Sequence, residues 1–228
     1  MTPQEIRNLT KPQCRWIVVD IETTGLDPKQ YEMLEIGAVL DTGIEWESGP
    51  ITLSKFQFES AALRCNGATQ WHPQLMGVDL NQFCLPDGPM TKEDDSHSHR
   101  QTLEPSTALD GLADFCKQYM NHADEKFMIV GRYPQFDIGF IRANLDKSVQ
   151  RIQTDFEMVF DLKENLDLHD LVRWTLMLSR RHFSGMSKNK RYETIGSETE
   201  PLPHRAIQGA KMEYEQVFAA LDFLFASL

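Results

Sequence analysis

The chain has 228 residues, 41% of them hydrophobic, and a formal net charge of −11, which excludes a protein that coats duplex nucleic acid through a broad basic surface. The length supports one good-sized core, expected as a single domain over 1–228 with its core at about residues 15–226. No run approaches the roughly 20 apolar residues of a membrane span, the first residues lack the apolar core of a signal peptide, and Cys14, Cys65, Cys84 and Cys116 lack metal-ligand spacing. A cytoplasmic protein with free thiols, no zinc and no membrane partner is therefore expected.

The run from Trp16 to Glu22 predicts a buried strand that carries two acids, Asp20 and Glu22, at i and i+2 on one face. Carboxylates buried without a partner are costly, and a divalent ion that favours oxygen ligands, Mg²⁺ or Mn²⁺, is the natural compensation. Gly25 and the pair Asp27 and Pro28 turn the chain, and Leu34 to Leu40 reads as the partner strand of a hairpin. Ile51 to Phe58 reads as a third strand. Residues 85–106, polar and rich in Pro and acid, read as an exposed insertion; its His97 and His99 are read as surface residues rather than a metal pair. Helical spacing follows over Ala108 to Tyr119, then a short buried strand over Phe127 to Gly131 and a helix defined by Phe136, Phe140, Ile141 and Leu145. Asp137 opens that helix, where an acid also interacts favourably with the helix dipole. Leu166 to Leu168 reads as a last strand, leading into a helix over Asp170 to Leu178, and a terminal helix covers Ala206 to Phe225.

The connection over residues 179–203 is expected to be a mobile basic loop. With Arg173, its Arg180, Arg181, Lys188, Lys190 and Arg191 form a local basic rim, enough for an acidic protein to meet a phosphate if a metal supplies the rest of the charge. It delivers His204 to the mouth of the last helix. Early strands followed by alternating helices and strands indicate an α/β domain with a mixed sheet of about five strands.

Taken together, Asp20-x-Glu22 on the first strand, Phe136-Asp137 opening a middle helix, and His204-x-Ala206 at the last helix resemble the DEDDh family of 3′→5′ exonucleases, within the ribonuclease H-like superfamily. The resemblance implies a ribonuclease H-like fold and metal-dependent hydrolysis of terminal phosphodiesters of single-stranded DNA or RNA, from 3′ ends, to nucleoside 5′-monophosphates. It implies two ions, Mg²⁺ or Mn²⁺, with Asp20 bridging both, Glu22 on the nucleophile side and Asp137 on the leaving-group side. His204 would take the proton from the attacking water. Thr23, Thr24, Gly25 and Leu26 would touch the terminal nucleotide. Trp71 would stack near the scissile end, with a purely structural Trp71 an equal alternative; Trp46 and Trp174 are expected to be structural.

One position departs from the family pattern. Five residues after His204 the family carries a fourth carboxylate, and this chain has Gly209. A missing ligand leaves a coordination position to water, so the nucleophile-activating ion is expected to bind less tightly. Three readings stay open: Glu213, one helical turn or about 5.4 Å further on, compensates; the chain is a catalytically inactive relative acting as a nucleic-acid-binding or regulatory partner; or Gly209 replaces a ligand in a working enzyme. On the alignment alone, Gly209→Asp is expected to strengthen metal binding.

Overall fold

The computed structural model describes residues 15–49, 51, 103–179, 185–197 and 205–226. The elements are β1 (Arg15–Thr23), β2 (Met33–Leu40), β3 (Glu45–Glu47), α1 (Pro105–Lys117), β4 (Phe127–Gly131), α2 (Pro134–Leu145), α3 (Gln150–Val159), β5 (Phe160–Asp167), α4 (Leu168–Leu178), α5 (Lys188–Thr194) and α6 (Ala206–Ala226). Among the described residues they form an α/β domain with a five-stranded mixed sheet in the order β3-β2-β1-β4-β5. β1 pairs antiparallel with β2 and parallel with β4, and β4 pairs parallel with β5.

The alternation of β1 builds both layers. Ile17, Val19 and Ile21 enter a large core with residues of α1, α2 and α3, whereas Val18 joins a second core with residues of α4, α5 and α6. A strand covered on both faces reads as a continuous apolar run, which is why β1 was legible in the sequence. The face that begins with Val18 continues through Asp20 to Glu22, so its character changes from apolar to acidic towards the C-terminal end of the strand. A register shift at Glu22 and Thr23 ends the regular pairing with β2 there.

The structure corrects several of these expectations. β5 begins at Phe160 rather than near Leu166, and α3 and the short edge strand β3 were not expected. Within the connection expected to be a loop, Lys188–Thr194 is helical: the Ser187 side chain caps its start by accepting from the Lys190 N–H at 3.3 Å, and Tyr192 and Ile195 are buried in the second core. Trp174, expected to be structural, is 59% exposed. Trp46 does pack against the core, stacked on Phe115 with ring centroids 6.1 Å apart. Of the expected third strand only Ile51 is described, in a single parallel bridge to Leu103. The insertion lies outside the described residues up to position 102. No helix among the described residues is long and apolar enough to cross a membrane.

Candidate active site

Asp20 and Glu22 reach the C-terminal end of β1 beside the C-terminal end of its parallel neighbour β4, the edge at which open α/β sheets commonly place their sites. Asp137 is brought to the same edge because Gly131 ends β4 and Pro134 starts α2 three residues later. Its buried carboxylate accepts the Ile21 N–H at Oδ1 over 3.1 Å. That bond fixes the carboxylate against the backbone between the two β1 acids. Burial pushes the proton affinity of Asp137 well above the usual carboxylate range; the neighbouring charges of Asp20 and Glu213 push it further the same way, and the Ile21 amide only partly offsets them.

Two glycines give these acids their room. A Cβ at residue 209 would overlap Asp20 Oδ2 and stand 2.8 Å from its Cγ, so Asp20 lies where a side chain on α6 would begin. A Cβ at residue 131 would stand 3.2 Å from Glu213 Oε2. Glu213 is buried one turn beyond Gly209, and its Oε2 accepts the Arg132 N–H at 3.1 Å. The position expected to be a lost ligand therefore holds the carboxylate of Asp20 itself, and Glu213 joins Asp20 and Asp137 in one electrostatic group.

Glu22 is buried and stands opposite Glu35 in the β1–β2 register. There Arg205 forms a two-point pair with Glu35, Nε donating to Oε2 at 2.8 Å and Nη2 lying 2.6 Å from Oε1. The hydrogen bond to Glu35 raises the Arg205 pKa, and the charges of Glu35, Glu47 and Glu22 add to it. Arg205 thus ties the start of α6 to β2 and places a positive charge near Glu22.

The turn after β1 is tied by its own side chains. Thr23 donates its hydroxyl to the Gly25 carbonyl at 2.6 Å, Thr24 Oγ1 accepts the Glu32 N–H at 3.0 Å, and the ring of Tyr31 occupies the space a Cβ on Gly25 would fill. Thr23 and Thr24 are buried, so their side chains shape the turn, and Leu26, 66% exposed, is a large apolar side chain that the turn presents to solvent beside the exposed Lys29 and Gln30. His204 and Trp71 lie outside the described residues.

Among the described residues no three His, Cys, Asp or Glu side chains are gathered closely enough to hold an ion as they stand. The chemistry of the donor set nonetheless fits a hard divalent cation: the converging groups offer only carboxylate oxygens, and a positive charge among them would relieve the repulsion that raises Asp137. The sequence reading passed over Gly131 and Arg132, although a glycine ending a strand just before a helix-starting proline is a signal of close backbone approach. Comparison with protein-family models and with curated proteins finds no match to this chain.

Proposed function

We propose that the chain is a metal-dependent 3′→5′ exonuclease with a ribonuclease H-like fold, releasing nucleoside 5′-monophosphates from single-stranded DNA or RNA. The observation that carries this reading is the convergence of Asp20, Asp137 and Glu213, from a strand and two helices, on one edge of the sheet. The strand order is compatible with that fold without being specific to it. When bound, two Mg²⁺ or Mn²⁺ ions would activate the attacking water and stabilise the attacking and leaving oxygens of an in-line displacement. Asp20, Asp137 and Glu213 are the residues that would hold them, with Glu22 two residues beyond Asp20 on β1. His204, adjacent in sequence to Arg205, is suited to accept the water proton near neutral pH. Leu26 offers an apolar surface to the terminal base, on a turn already held in shape by Thr23 and Thr24.

The test is incubation of the purified chain with 5′-labelled single-stranded DNA and RNA, in Mn²⁺ and in EDTA. A ladder shortening from the 3′ end in Mn²⁺ alone is expected, lost in Asp20→Asn and reduced by about 10–100-fold in Glu213→Gln. Strands that stay intact under both conditions overturn the enzyme reading, and binding without cleavage then marks the inactive relative.

A further inference from the structure

Two buried carboxylates of the candidate site hang on backbone amides at the ends of neighbouring strands. Asp137 of α2 accepts from Ile21 on β1, and Glu213 of α6 accepts from Arg132, the residue after β4. β1 and β4 pair in parallel, so both ties lie at one edge of the sheet. The Ile21 amide is fixed by its strand. The Arg132 amide belongs to a turn, and its direction has to be held by other contacts.

The side chain of Arg132 makes those contacts. Its Nε donates to Oε1 of the fully buried Gln216 at 3.0 Å, its Nη2 reaches Met212 Sδ at 3.6 Å, and its guanidinium lies 4.7 Å from the centroid of the buried Tyr192 ring on α5. Met212 and Gln216 lie on either side of Glu213 along α6. The same Nε stays 4.0 Å from Glu213 Oε1, so the guanidinium faces that carboxylate without closing on it the two-bond fork that arginine commonly forms. Arg132 thus clips the turn that leads from β4 to Asp137 onto the part of α6 that carries Glu213. The next residue, Tyr133, has φ 59°, the one positive value at a non-glycine residue among the described residues. A bulky residue keeps so costly a conformation only where surrounding contacts hold it, and the anchors of Arg132 on α5 and α6 stand directly beside it.

We propose that Arg132 is a positioning residue that fixes the separation of Asp137 and Glu213 and thereby makes the site select a small divalent ion over a large one. The inference rests on the metal-dependent reading above. Mg²⁺ demands near-ideal octahedral geometry with oxygens at about 2.0–2.1 Å, whereas Ca²⁺ accepts about 2.3–2.6 Å and irregular arrangements. Acids held at one separation can meet the stricter demand, and acids free to part lose Mg²⁺ before they lose Ca²⁺. A role for Arg132 as a charge alone has a different signature, since removing a positive charge strengthens the binding of both divalent ions alike.

The experiment is isothermal titration calorimetry of the full chain with Mg²⁺ and with Ca²⁺, Asp20→Asn serving to measure binding elsewhere on the acidic surface. Arg132→Met keeps the stem and the backbone N–H but removes the anchors; it should weaken Mg²⁺ binding about tenfold or more and Ca²⁺ binding by no more than about twofold. Arg132→Lys keeps the charge without the planar group that joins Gln216 to Tyr192, so it should follow Arg132→Met, and it decides the matter where Arg132→Met does not fold. Gln216→Leu, which removes the acceptor from the α6 side, should shift the ratio of the two dissociation constants in the same direction. Equal losses for the two ions, tighter binding of both, or Mg²⁺ binding unchanged within about twofold overturns the proposal and leaves the metal-dependent reading standing. An unmodified chain that binds Mg²⁺ no better than Asp20→Asn overturns that reading, and the role of Arg132 with it.

Discussion

At residue 209 the absent side chain is an occupied space rather than a gap. Asp20 stands where a Cβ would be, so any larger residue must displace the carboxylate that the site is built around. This reverses the expectation drawn from the alignment. Gly209→Asp adds an acid but moves Asp20, and Gly209→Ala moves Asp20 while adding no acid. Both should weaken Mn²⁺ binding about tenfold, read by isothermal titration calorimetry. Because alanine is favoured over glycine by about 1 kcal/mol within a helix, Gly209→Ala should do this without lowering the melting temperature. Tighter Mn²⁺ binding by Gly209→Asp would show that Asp20 yields easily and that residue 209 is a true ligand position. Asp20, Glu22 and Asp137 were legible in the sequence because acids inside or beside apolar runs demand compensation. Glu213 was legible only as one alternative among three, since helical spacing gives its face and not its reach. Tyr133 was invisible: nothing in a Tyr-Pro pair announces a positive φ.

Elements show the same division. β1, β2, β4 and α6 stood out because both or most of their faces are apolar, whereas β5 is an edge strand with exposed Lys163 and Glu164 and a pairing irregularity opposite Met128 and Ile129. Three residues are too few to reveal β3 as a strand, and α5 lies in a basic stretch where only Tyr192 and Ile195 turn inward. α3, with Ile152, Phe156 and Val159 at helical spacing, was readable and was missed. What seats α6 over the acids is a glycine on β2. Gly37 pairs with Asp20 across the sheet, and a Cβ there would overlap the backbone of Ala206 and Ile207, the first turn of the helix. Backbone cannot yield as a side-chain tip can. Gly37→Ala should therefore cost about 1–3 kcal/mol in urea unfolding, as overpacking does, and should also reduce Mn²⁺ affinity by tilting α6 away from Asp20. A stability loss without any change in Mn²⁺ affinity would separate the seat of the helix from the geometry of the acids.

Over the whole molecule, the buried acids make the stability of the fold depend on both pH and metal. Asp137 is raised above its unfolded value of about 3.9 by burial first and by Asp20 and Glu213 second. Between those two values the native state binds the proton more fully than the unfolded chain does, so the stability this group contributes is complete below about pH 4 and declines as pH rises through the folded value. Self-repulsion in a chain of net charge −11 acts in the same direction, so the Asp137 share has to be isolated by substitution. In EDTA the melting temperature should fall as pH rises from about 4, and Asp137→Asn should flatten that fall. A divalent ion bound only by the native state adds about 2.7 kcal/mol at a hundred times its dissociation constant. Mg²⁺ should therefore raise the melting temperature of the unmodified chain most at neutral pH, where the carboxylates are charged, and least near pH 4. Asp137→Asn should lose most of that rise. If Mg²⁺ stabilises both chains equally, its binding lies elsewhere on an acidic surface, and the convergence of Asp20, Asp137 and Glu213 is a cost of the fold without a cation to offset it.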